Sequence, residues 1–413
     1  MIRAISAAGI FTSGKVNFAK LRANWANVGS DEEPYQLAFT FSPLTQVSDI
    51  YTFNQNFPFN GASAFGATNV IPPSNLRPQR QESFEVGGEF RVLQNRIGLD
   101  LTYYAVRNYD QIVSLAVPQT TGFSARRLNV GQISNRGVEV QLTYSVLKRP
   151  GKGLTWDVNT NYSRNRNVVD KLADGLKEFS VTSGDGFGTF IVARPGTTFN
   201  IQGVGFLRDS VTNQYIINPQ NGLRITGGRK LFGNIYPDWI GGINNSFSYK
   251  NVSLSFLVDV RRGGVIMSNT ASALRSSGTA KETEDRTPFV QPGVIRNANG
   301  TTSPNTVPVS SVQAYWQQLD SSVSPENNIF DGSFTKLREL QFGFKLPGSW
   351  AAKLGAREAV WSLEGRNLWL ISSKVPHIDP ESNVHGTGLI GEGIERNNIP
   401  STRSFGTNLR LSF

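Results

Sequence analysis

The sequence contains no cysteine and only two histidines, His377 and His385, among its 413 residues. Without cysteine, neither a disulfide framework nor a thiolate metal site is possible, and two histidines leave few soft ligands for a metal. We therefore expect no metal site. Because the sequence also contains no G-x-S-x-G elbow and no P-loop, we expect no other cofactor and no enzyme activity.

Long apolar runs are also lacking. No segment reaches the roughly 18 to 20 consecutive apolar residues that a membrane-spanning helix needs. The first eleven residues hold one basic residue and a short apolar run, but they lack the apolar core and the cleavage site of a signal peptide. If the chain lies in a membrane it must cross with strands, and we expect the export signal upstream of this sequence.

Charged residues make up only 17% of the chain, with a formal net charge of +10. An excess of basic residues can indicate binding to nucleic acid or anionic lipid. Here lysine and arginine are spread along the sequence and form only doublets such as Arg126-Arg127 and Arg261-Arg262. We interpret them as a scattered set facing solvent or a lumen, and we expect no nucleic acid partner.

Strict alternation of apolar and polar residues is abundant. Between residues 404 and 413, phenylalanine and leucine recur on one face while Ser404, Asn408 and Arg410 occupy the other. This alternation predicts a strand with two different faces. The same pattern occurs at residues 84–92, 97–104, 138–146, 154–163, 252–260 and 361–369, with weaker candidates near 16–28, 201–209, 240–249 and 334–346. The sequence predicts an all-β fold of roughly ten to twelve antiparallel strands.

A soluble β-sandwich also alternates, because its inner faces are apolar and its outer faces are wet. Sandwich strands usually have about five to six residues. The segments here extend over about 9 to 11, the length that a tilted strand needs to cross a bilayer. Their polar faces mix acidic, basic and amide residues, and aromatic residues lie near their ends. We favour a membrane β-barrel over the sandwich.

The connections between the predicted strands differ greatly in length. Residues 30–80, 166–200, 262–332 and 371–402 are long and polar, whereas Lys250-Asn251 and residues 93–95 are short turns. Outer-membrane barrels have brief turns on one side and long loops on the other. We therefore expect one end of the molecule to carry most of the binding surface.

Seven short phrases occur along the chain in a fixed order. Residues 16–29 read V-N-F-A-K-L-R-A-N-W-A-N-V-G, and residues 95–104 read N-R-I-G-L-D-L-T-Y-Y. The others lie at residues 121–123, 129–139, 237–247 with 259–264, 331–340 with 346–347, and 365–368 with 379–381. Over nearly the whole length, these phrases resemble the SusC/RagA-like family of TonB-dependent outer-membrane transporters.

The resemblance implies that residues 1–413 are the C-terminal half of a 22-stranded transmembrane β-barrel with long external loops. We expect the plug domain, the signal peptide and the N-terminal strands of the family to lie outside this sequence. An open sheet leaves two edges of unpaired backbone groups in lipid, so we expect this half to need its complement or a second copy. The terminal Phe413 resembles the aromatic end by which outer-membrane barrels are presented for assembly.

The resemblance also implies a function in the cell outer membrane, where the family imports oligosaccharides and sometimes peptides. The implied partners are a SusD-like surface lipoprotein, the TonB complex acting through the missing N-terminal region, and membrane lipid. No covalent chemistry is required of the chain. Two alternatives from other classes are a passive porin or adhesin barrel and a soluble β-rich carbohydrate-binding protein.

Three weaker patterns contain residue types that are used in chemistry or binding. The run Gly184, Gly186 and Gly188 lacks the strand and helix of a phosphate-binding loop. The alternation of His377 with the Asp-Pro-Glu phrase at 379–381 is compatible with a metal site, but the resemblance explains that phrase. Aromatic loop residues could stack on sugars, although packing of the loops is the favoured interpretation: Phe53, Phe57, Phe59, Phe65, Tyr215, Tyr315 and Trp316. No residue is predicted to bind substrate.

Overall fold

The computed structural model describes residues 2–10, 15–31, 34, 37–48, 54–73, 75–129, 131–148, 153–180, 189–382 and 393–413. Its main feature is one antiparallel sheet of eleven strands. The strands are β1 Ile2–Ile10, β2 Val16–Ser30, β3 Gln79–Val92, β4 Ile97–Tyr109, β5 Gly131–Leu147, β6 Leu154–Leu172, β7 Trp239–Tyr249, β8 Val252–Arg262, β9 Phe334–Lys345, β10 Glu358–Ser373 and β11 Ser404–Ser412.

The order of strands in this sheet is their order along the chain. Each strand pairs antiparallel with the one before it, from β1 to β11. Among the described residues β1 and β11 have no second partner, so the sheet is open. The predicted all-β fold, its antiparallel pairing and its strand count are confirmed.

Two details of the strand prediction were wrong. The segment near 201–209 does contain a strand, Asn200–Phe206, but this strand belongs to a separate four-stranded sheet. Strand β1 was not predicted, because alanine, serine and glycine between its isoleucines leave little contrast between the faces. The two errors offset each other in the count.

The large sheet has two chemically different faces. Leu101, Val140 and Tyr162 lie side by side on β4, β5 and β6, on what we call the apolar face. The adjacent row, on what we call the polar face, holds Thr102, Glu139 and Ser163. The apolar face remains exposed, with side chains such as Phe84, Leu101, Leu142, Leu254, Trp361 and Leu409. Exposed apolar patches of more than a few hundred Å² mark a protein or membrane interaction.

Connections alternate strictly between short and long. At one end lie residues 11–15, 93–96, 148–153, 250–251 and 346–357; at the other, which we call the long-loop end, lie 31–78, 110–130, 173–238, 263–333 and 374–403. The predicted one-sided loops are confirmed, with one correction: the stretch predicted to begin at 166 is still part of β6 and the connection then continues to 238. The short turn at 93–95 uses positive φ at three successive residues, the last of which is Asn95, a residue type that tolerates it.

The long connections contain short elements of their own. Their strands are Phe41–Leu44, Gln46–Ser48, Asn54–Asn56, Ala64–Ala67, Val70–Ile71, Ile112–Ala116, Ala125–Asn129, Phe179–Ser180, Phe190–Ala193, Asn200–Phe206, Thr226–Asn234, Val265–Ser268, Val294–Arg296, Thr302–Pro304, Ile329–Asp331 and Ile394–Glu395. The α-helices are α1 Asn269–Ser276, α2 Val312–Gln318 and, in the short connection 346–357, α3 Gly348–Lys353; 3-10 turns span Gln119–Thr121, Lys281–Thr283 and Pro325–Asn328.

Serine side chains fix the first turns of α1 and α2. Ser268 accepts a hydrogen bond from the backbone N–H of Ala271, and Ser311 does the same from Ala314. Such caps satisfy backbone donors that a helix leaves unpaired. No helix in the described part of the chain has the length and apolarity needed to cross a membrane.

The buried core lies at the long-loop end, away from the middle of the sheet. It joins the ends of β5 and β6 to the long connections through Ile133, Val169, Leu172, Ile191, Ala193, Phe199, Ile201, Ile235, Met267 and Ile394. We call the connections 173–238, 263–333 and 374–403 together the loop assembly. In its described residues the interior combines this apolar cluster with buried, hydrogen-bonded polar side chains such as Gln291, Asn328 and Glu395, as in a water-soluble protein.

Candidate functional site

A cavity of about 570 Å³ lies on the polar face of the large sheet. Residues of β2, β4, β5, β6, β7 and β8 line it. Most of their side chains are polar, among them Arg22, Asp100, Glu139, Gln141, Asn161 and Asp259, whereas β7 contributes Ile240 and Gly241. Side chains from six strands reach the same cavity because the polar row continues in register across the sheet. Its lining offers donors and acceptors to a hydrated solute.

Arg22 crosses this cavity floor to reach a strand two places away. Its Nη1 donates to Asp100 Oδ2 over 3.0 Å, and its Nη2 donates to Thr102 Oγ1 over 2.6 Å. Gly87, on the intervening strand β3, makes the reach possible, because a Cβ there would lie 2.9 Å from Arg22 Nε. The ion pair therefore ties β2 to β4 on the polar face.

A second charged cluster fastens the loop assembly to the sheet. Lys336 on β9 is 2% exposed, and its Nζ donates to Asp379 over 2.6 Å and to Glu381 over 2.5 Å. Arg338, on the same strand, forms ion pairs with Glu381 and with Asp259 on β8. Two cations of one strand thus hold one short segment of the connection 374–403.

Both carboxyl groups of this segment are held ionised. Burial raises the pKa of Glu381, but hydrogen bonds from Arg338 and Lys336 outweigh it, so that the pKa lies below its ordinary value. Burial likewise raises the pKa of Asp379, and hydrogen bonds from Lys336 and Ser401 bring it below its ordinary value. The cluster is a set of satisfied charges at neutral pH.

Glu326 has a similar position inside the loop assembly. Its carboxylate pairs with Arg208 over 3.0 Å and with Lys230 over 2.7 Å, and it accepts from the backbone N–H of Phe206 over 2.8 Å. Burial raises the pKa of Glu326, and these donors outweigh it and lower the pKa overall. The hydroxyl of Tyr215 also donates to Glu326, and the guanidinium groups of Arg208 and Arg224 lie 3.9 and 4.0 Å from the centroid of the Tyr215 ring.

None of these three charged clusters was predicted from the sequence. Asp379 and Glu381 were noticed together with His377, but the structure pairs the two carboxylates with Lys336 and Arg338. His377 lies 3.8 Å from Glu282 instead. The missed signal is the spacing of Lys336 and Arg338 on the polar side of a predicted strand, where each needs a counter-charge.

The aromatic residues of the long connections differ in surroundings. Tyr215 packs edge to face on Phe206, and Tyr315 packs in the same way on Phe289 and on Trp316. These contacts are internal to the loops, as the favoured interpretation expected. Phe59 and Phe65 are exposed, and Phe57 is half-buried.

Several positions singled out from sequence lie outside the described residues. They are Phe53, the glycines at 184, 186 and 188, and His385. Phe413 is described and lies one residue beyond β11, exposed on the side of the molecule that carries the short connections. Within the described part of the chain, no group of three or more His, Cys, Asp or Glu residues is placed to hold a metal ion.

Comparison with known sequences gives consistent matches. The family described as TonB dependent receptor-like, beta-barrel, matches residues 17–264. TonB-dependent receptor P3 of Formosa agariphila is 26% identical over 97% of this chain and 40% of its own length. TonB-dependent receptor SusC of Bacteroides thetaiotaomicron is 23% identical over 95% of this chain and 37% of its own length. The chain thus spans about two fifths of the curated relatives it matches.

Among solved structures, the RagAB peptide transporter is similar with a TM-score of 0.70. The match has 18% sequence identity and covers 100% of this chain and 43% of the other. A RagAB peptide importer in a "closed-closed" state is similar with a TM-score of 0.69. At these identities the likeness concerns the fold.

Proposed function

The chain belongs to the TonB-dependent receptor β-barrel family, and from this premise we propose that it forms part of the wall and external loops of an outer-membrane nutrient importer. The resemblance to SusC/RagA-like transporters, predicted from the ordered phrases, is confirmed. We also propose that residues 1–413 act as the C-terminal portion of the barrel. Proteins of this family are transporters and receptors.

The observation that carries the proposal is the pair of unlike faces on the large sheet. The apolar face leaves Leu142, Trp361 and many similar side chains exposed, while the polar face forms a cavity lined by charges and amides. In a barrel with lipid outside and water inside, both faces have matching surroundings. In plain water the apolar face would cost about 25 cal/mol for each Å² left exposed, which argues against the soluble carbohydrate-binding alternative.

The family and the position of the loops support a proposal about partners. We propose that a SusD-like lipoprotein covers the long-loop end and that the TonB complex acts through a region outside this chain. The proposed substrate class is oligosaccharide or peptide. Similar proteins include the receptor SusC and the RagAB peptide transporter. The cavity donors Arg22 and Asn161 and the acceptors Asp100 and Glu139 suit the passage of either hydrated solute.

Deletion of the gene tests the proposal most directly. We expect growth on one class of oligosaccharide or peptide to be lost, and restored by the full-length protein only while the TonB complex is active. Restoration without an active TonB complex would contradict energised import and favour the passive porin or adhesin. A detergent-free, soluble monomer of residues 1–413 would contradict the barrel.

Fractionation of cells supplies a second test. We expect a heat-modifiable, protease-resistant barrel in the outer membrane when this chain is produced together with the upstream part of its relatives. The test variant carries Leu142→Arg, which places a charge on the apolar face and should reduce the barrel fraction relative to the wild type. An equal barrel fraction for both proteins would argue against contact of that face with lipid.

A further inference from the structure

Four arginines lie on the apolar face at the long-loop ends of three neighbouring strands. Arg107 follows the apolar row of β4, Arg136 precedes that of β5, and Arg164 and Arg166 follow that of β6. Each is an even number of residues from an apolar-face residue of its own strand: Tyr103, Val138 and Tyr162. The ladders contain no register shift between these positions. We call these four residues the arginine belt.

Strand pairing brings the belt together from distant parts of the sequence. Arg136 lies directly opposite Arg166, and Arg164 lies opposite Val138, the next residue of the apolar row on β5. On its other side Arg136 lies opposite Ala105, two residues before Arg107. Directly opposed residues of a ladder have Cβ atoms about 4.5–5.5 Å apart. The belt is therefore a compact patch of four exposed guanidinium groups.

The four arginines outnumber the carboxylates around them. Among the ion pairs of the described residues, none involves a belt arginine. Three carboxylates lie at its margin. Glu82, opposite Arg107, accepts from Trp25 and Tyr109, Asp170 accepts from Gln132 and Ser134, and Asp238 lines the same cavity as Arg164 and Arg166 without an ion pair to either. Like charges directly opposed in a sheet are destabilising. A bound anion would remove this repulsion.

The level of the belt on the strand indicates which anion. On β6 the apolar row extends from Leu154 to Tyr162, eight residue steps or about 27 Å along the strand. At the usual strand tilt of about 35–45° this length rises about 19–22 Å, which is most of the apolar band of about 25 Å. Tyr162 contacts Trp239 at the end of this row, with ring centroids 5.6 Å apart. Aromatic residues of this kind mark the membrane interface. Arg164 and Arg166 follow immediately, at the depth of lipid head groups.

We infer that the arginine belt binds the phosphate head group of a membrane lipid in the leaflet on the long-loop side. The inference rests on the proposed outer-membrane location. Guanidinium groups bind phosphate through paired, charge-assisted hydrogen bonds, and four of them converge here. The exposed apolar rows directly below, with Tyr103 and Leu142, accept acyl chains. A lipid satisfies both features, whereas free phosphate satisfies only the belt.

Binding to the purified full-length transporter in detergent tests this inference. The probes are phosphorylated lipid A, the same lipid after dephosphorylation, and inorganic phosphate as competitor, with lipid binding followed by native mass spectrometry. The test variant combines Arg136→Gln, Arg164→Gln and Arg166→Gln. The matched control combines Arg91→Gln, Arg366→Gln and Arg410→Gln, three exposed arginines of the same sheet whose alternation places them on the polar face.

We expect the test variant to bind phosphorylated lipid at least about tenfold more weakly than the wild type, since each basic residue near a charged membrane surface contributes about a factor of five. The control should bind like the wild type, and raising the salt concentration should weaken wild-type binding. Equal binding by test variant and wild type would overturn the inference. So would equal binding of the dephosphorylated lipid, or displacement of lipid by equimolar inorganic phosphate.

The same preparation separates this inference from the proposed function. A heat-modifiable wild-type barrel that does not distinguish the two lipids overturns the lipid site and leaves the importer standing. A wild-type protein that needs no detergent overturns both. Heat-modifiability of the test variant shows whether its barrel still forms, so that weaker binding is not caused by loss of the barrel. A variant carrying Arg136→Lys, Arg164→Lys and Arg166→Lys should recover part of the affinity for phosphorylated lipid.

Discussion

The large sheet and the loop assembly place their apolar residues in opposite ways. In the sheet Leu142 and Leu254 point outward and remain exposed, whereas in the loop assembly Ile201, Ile235 and Met267 are fully buried. The same residue types are therefore outside in one region and inside in the other. The difference fits the proposed location, with lipid around the sheet and water around the loops, and substitutions can test each side of that comparison.

The largest effect is expected where the two regions are fastened together. Lys336→Met leaves the carboxylates of Asp379 and Glu381 without their shared buried cation, which should destabilise the folded protein by about 3–5 kcal/mol. Lys345→Met is the matched control, because Lys345 lies on the same strand and pairs with Glu358 at the exposed surface. The control should cost less than about 1 kcal/mol. Denaturant unfolding in detergent measures both free energies. Equal losses of stability would contradict a buried ion-pair cluster at Lys336.

The next largest effect is expected when an apolar side chain is truncated, with a larger loss of stability in the loop assembly than on the apolar face of the sheet. Ile201→Ala removes a side chain from the core of the loop assembly and should cost about 2–5 kcal/mol. Leu142→Ala removes a side chain that faces lipid, where little packing is lost, and should cost much less. Thermal unfolding of the full-length protein in bilayer vesicles gives both values. If Leu142→Ala were as damaging as Ile201→Ala, the apolar face would be a packed interface.

Adding a charge should destabilise the protein at a residue of the apolar face but not at its neighbour on the polar face of the same strand. Leu142→Arg places a charge in the hydrocarbon layer and should cost about 2–4 kcal/mol. Gln141→Arg is the neighbouring control, whose side chain lies in the polar cavity and should cost little. The measurement is unfolding in lipid vesicles. A larger loss for Gln141→Arg would mean that the two faces have been assigned the wrong way round.

Acid should weaken the fastening of the loop assembly more gradually. The folded-state pKa values of Asp379 and Glu381 lie below their ordinary values, so their stabilisation is present at neutral pH. It is lost as pH falls below the ordinary carboxyl values, about 4, and through the lower folded-state values. Hydrogen exchange of residues 374–382 should therefore quicken relative to β4 in acid, after correction for intrinsic rates. Increased protection in acid would contradict the ion-pair account.

The smallest effect on stability is expected at Phe413. This side chain is exposed beyond β11, so its deletion should change the unfolding free energy by less than about 0.5 kcal/mol. If Phe413 presents the barrel for assembly, as we propose, the amount of barrel in the outer membrane should nevertheless fall. Quantitative immunoblotting of heat-modifiable protein measures this amount. An unchanged amount would leave Phe413 as an ordinary strand end.

Much of the sheet was predictable because each strand alternates apolar residues on one face with polar residues on the other. The alternation at residues 138–146 and 252–260 located β5 and β8 without knowledge of their partners. The same reasoning could not assign Asn200–Phe206 to its sheet, because alternation gives the faces of a strand and not its neighbours. It missed β1, whose small residues give little contrast.

The charged clusters were less predictable for a related reason. Lys336 and Asp379 are 43 residues apart, and only the folded connection brings them together. Arg107, Arg136 and Arg164 are separated by about thirty residues each and were interpreted as scattered charge. Their grouping depends on the register of β4, β5 and β6, and a shift of one residue would move an arginine to the opposite face.

The open sheet also sets a rule of parity. Neighbouring strands reverse direction at each step, so β1 and β11 point the same way. A ring in which every neighbour is antiparallel has an even number of strands, as single-chain bacterial barrels do. Whatever closes this sheet into such a ring must therefore supply an odd number of strands. A single added hairpin is excluded, whereas a second sheet of eleven strands would satisfy the rule.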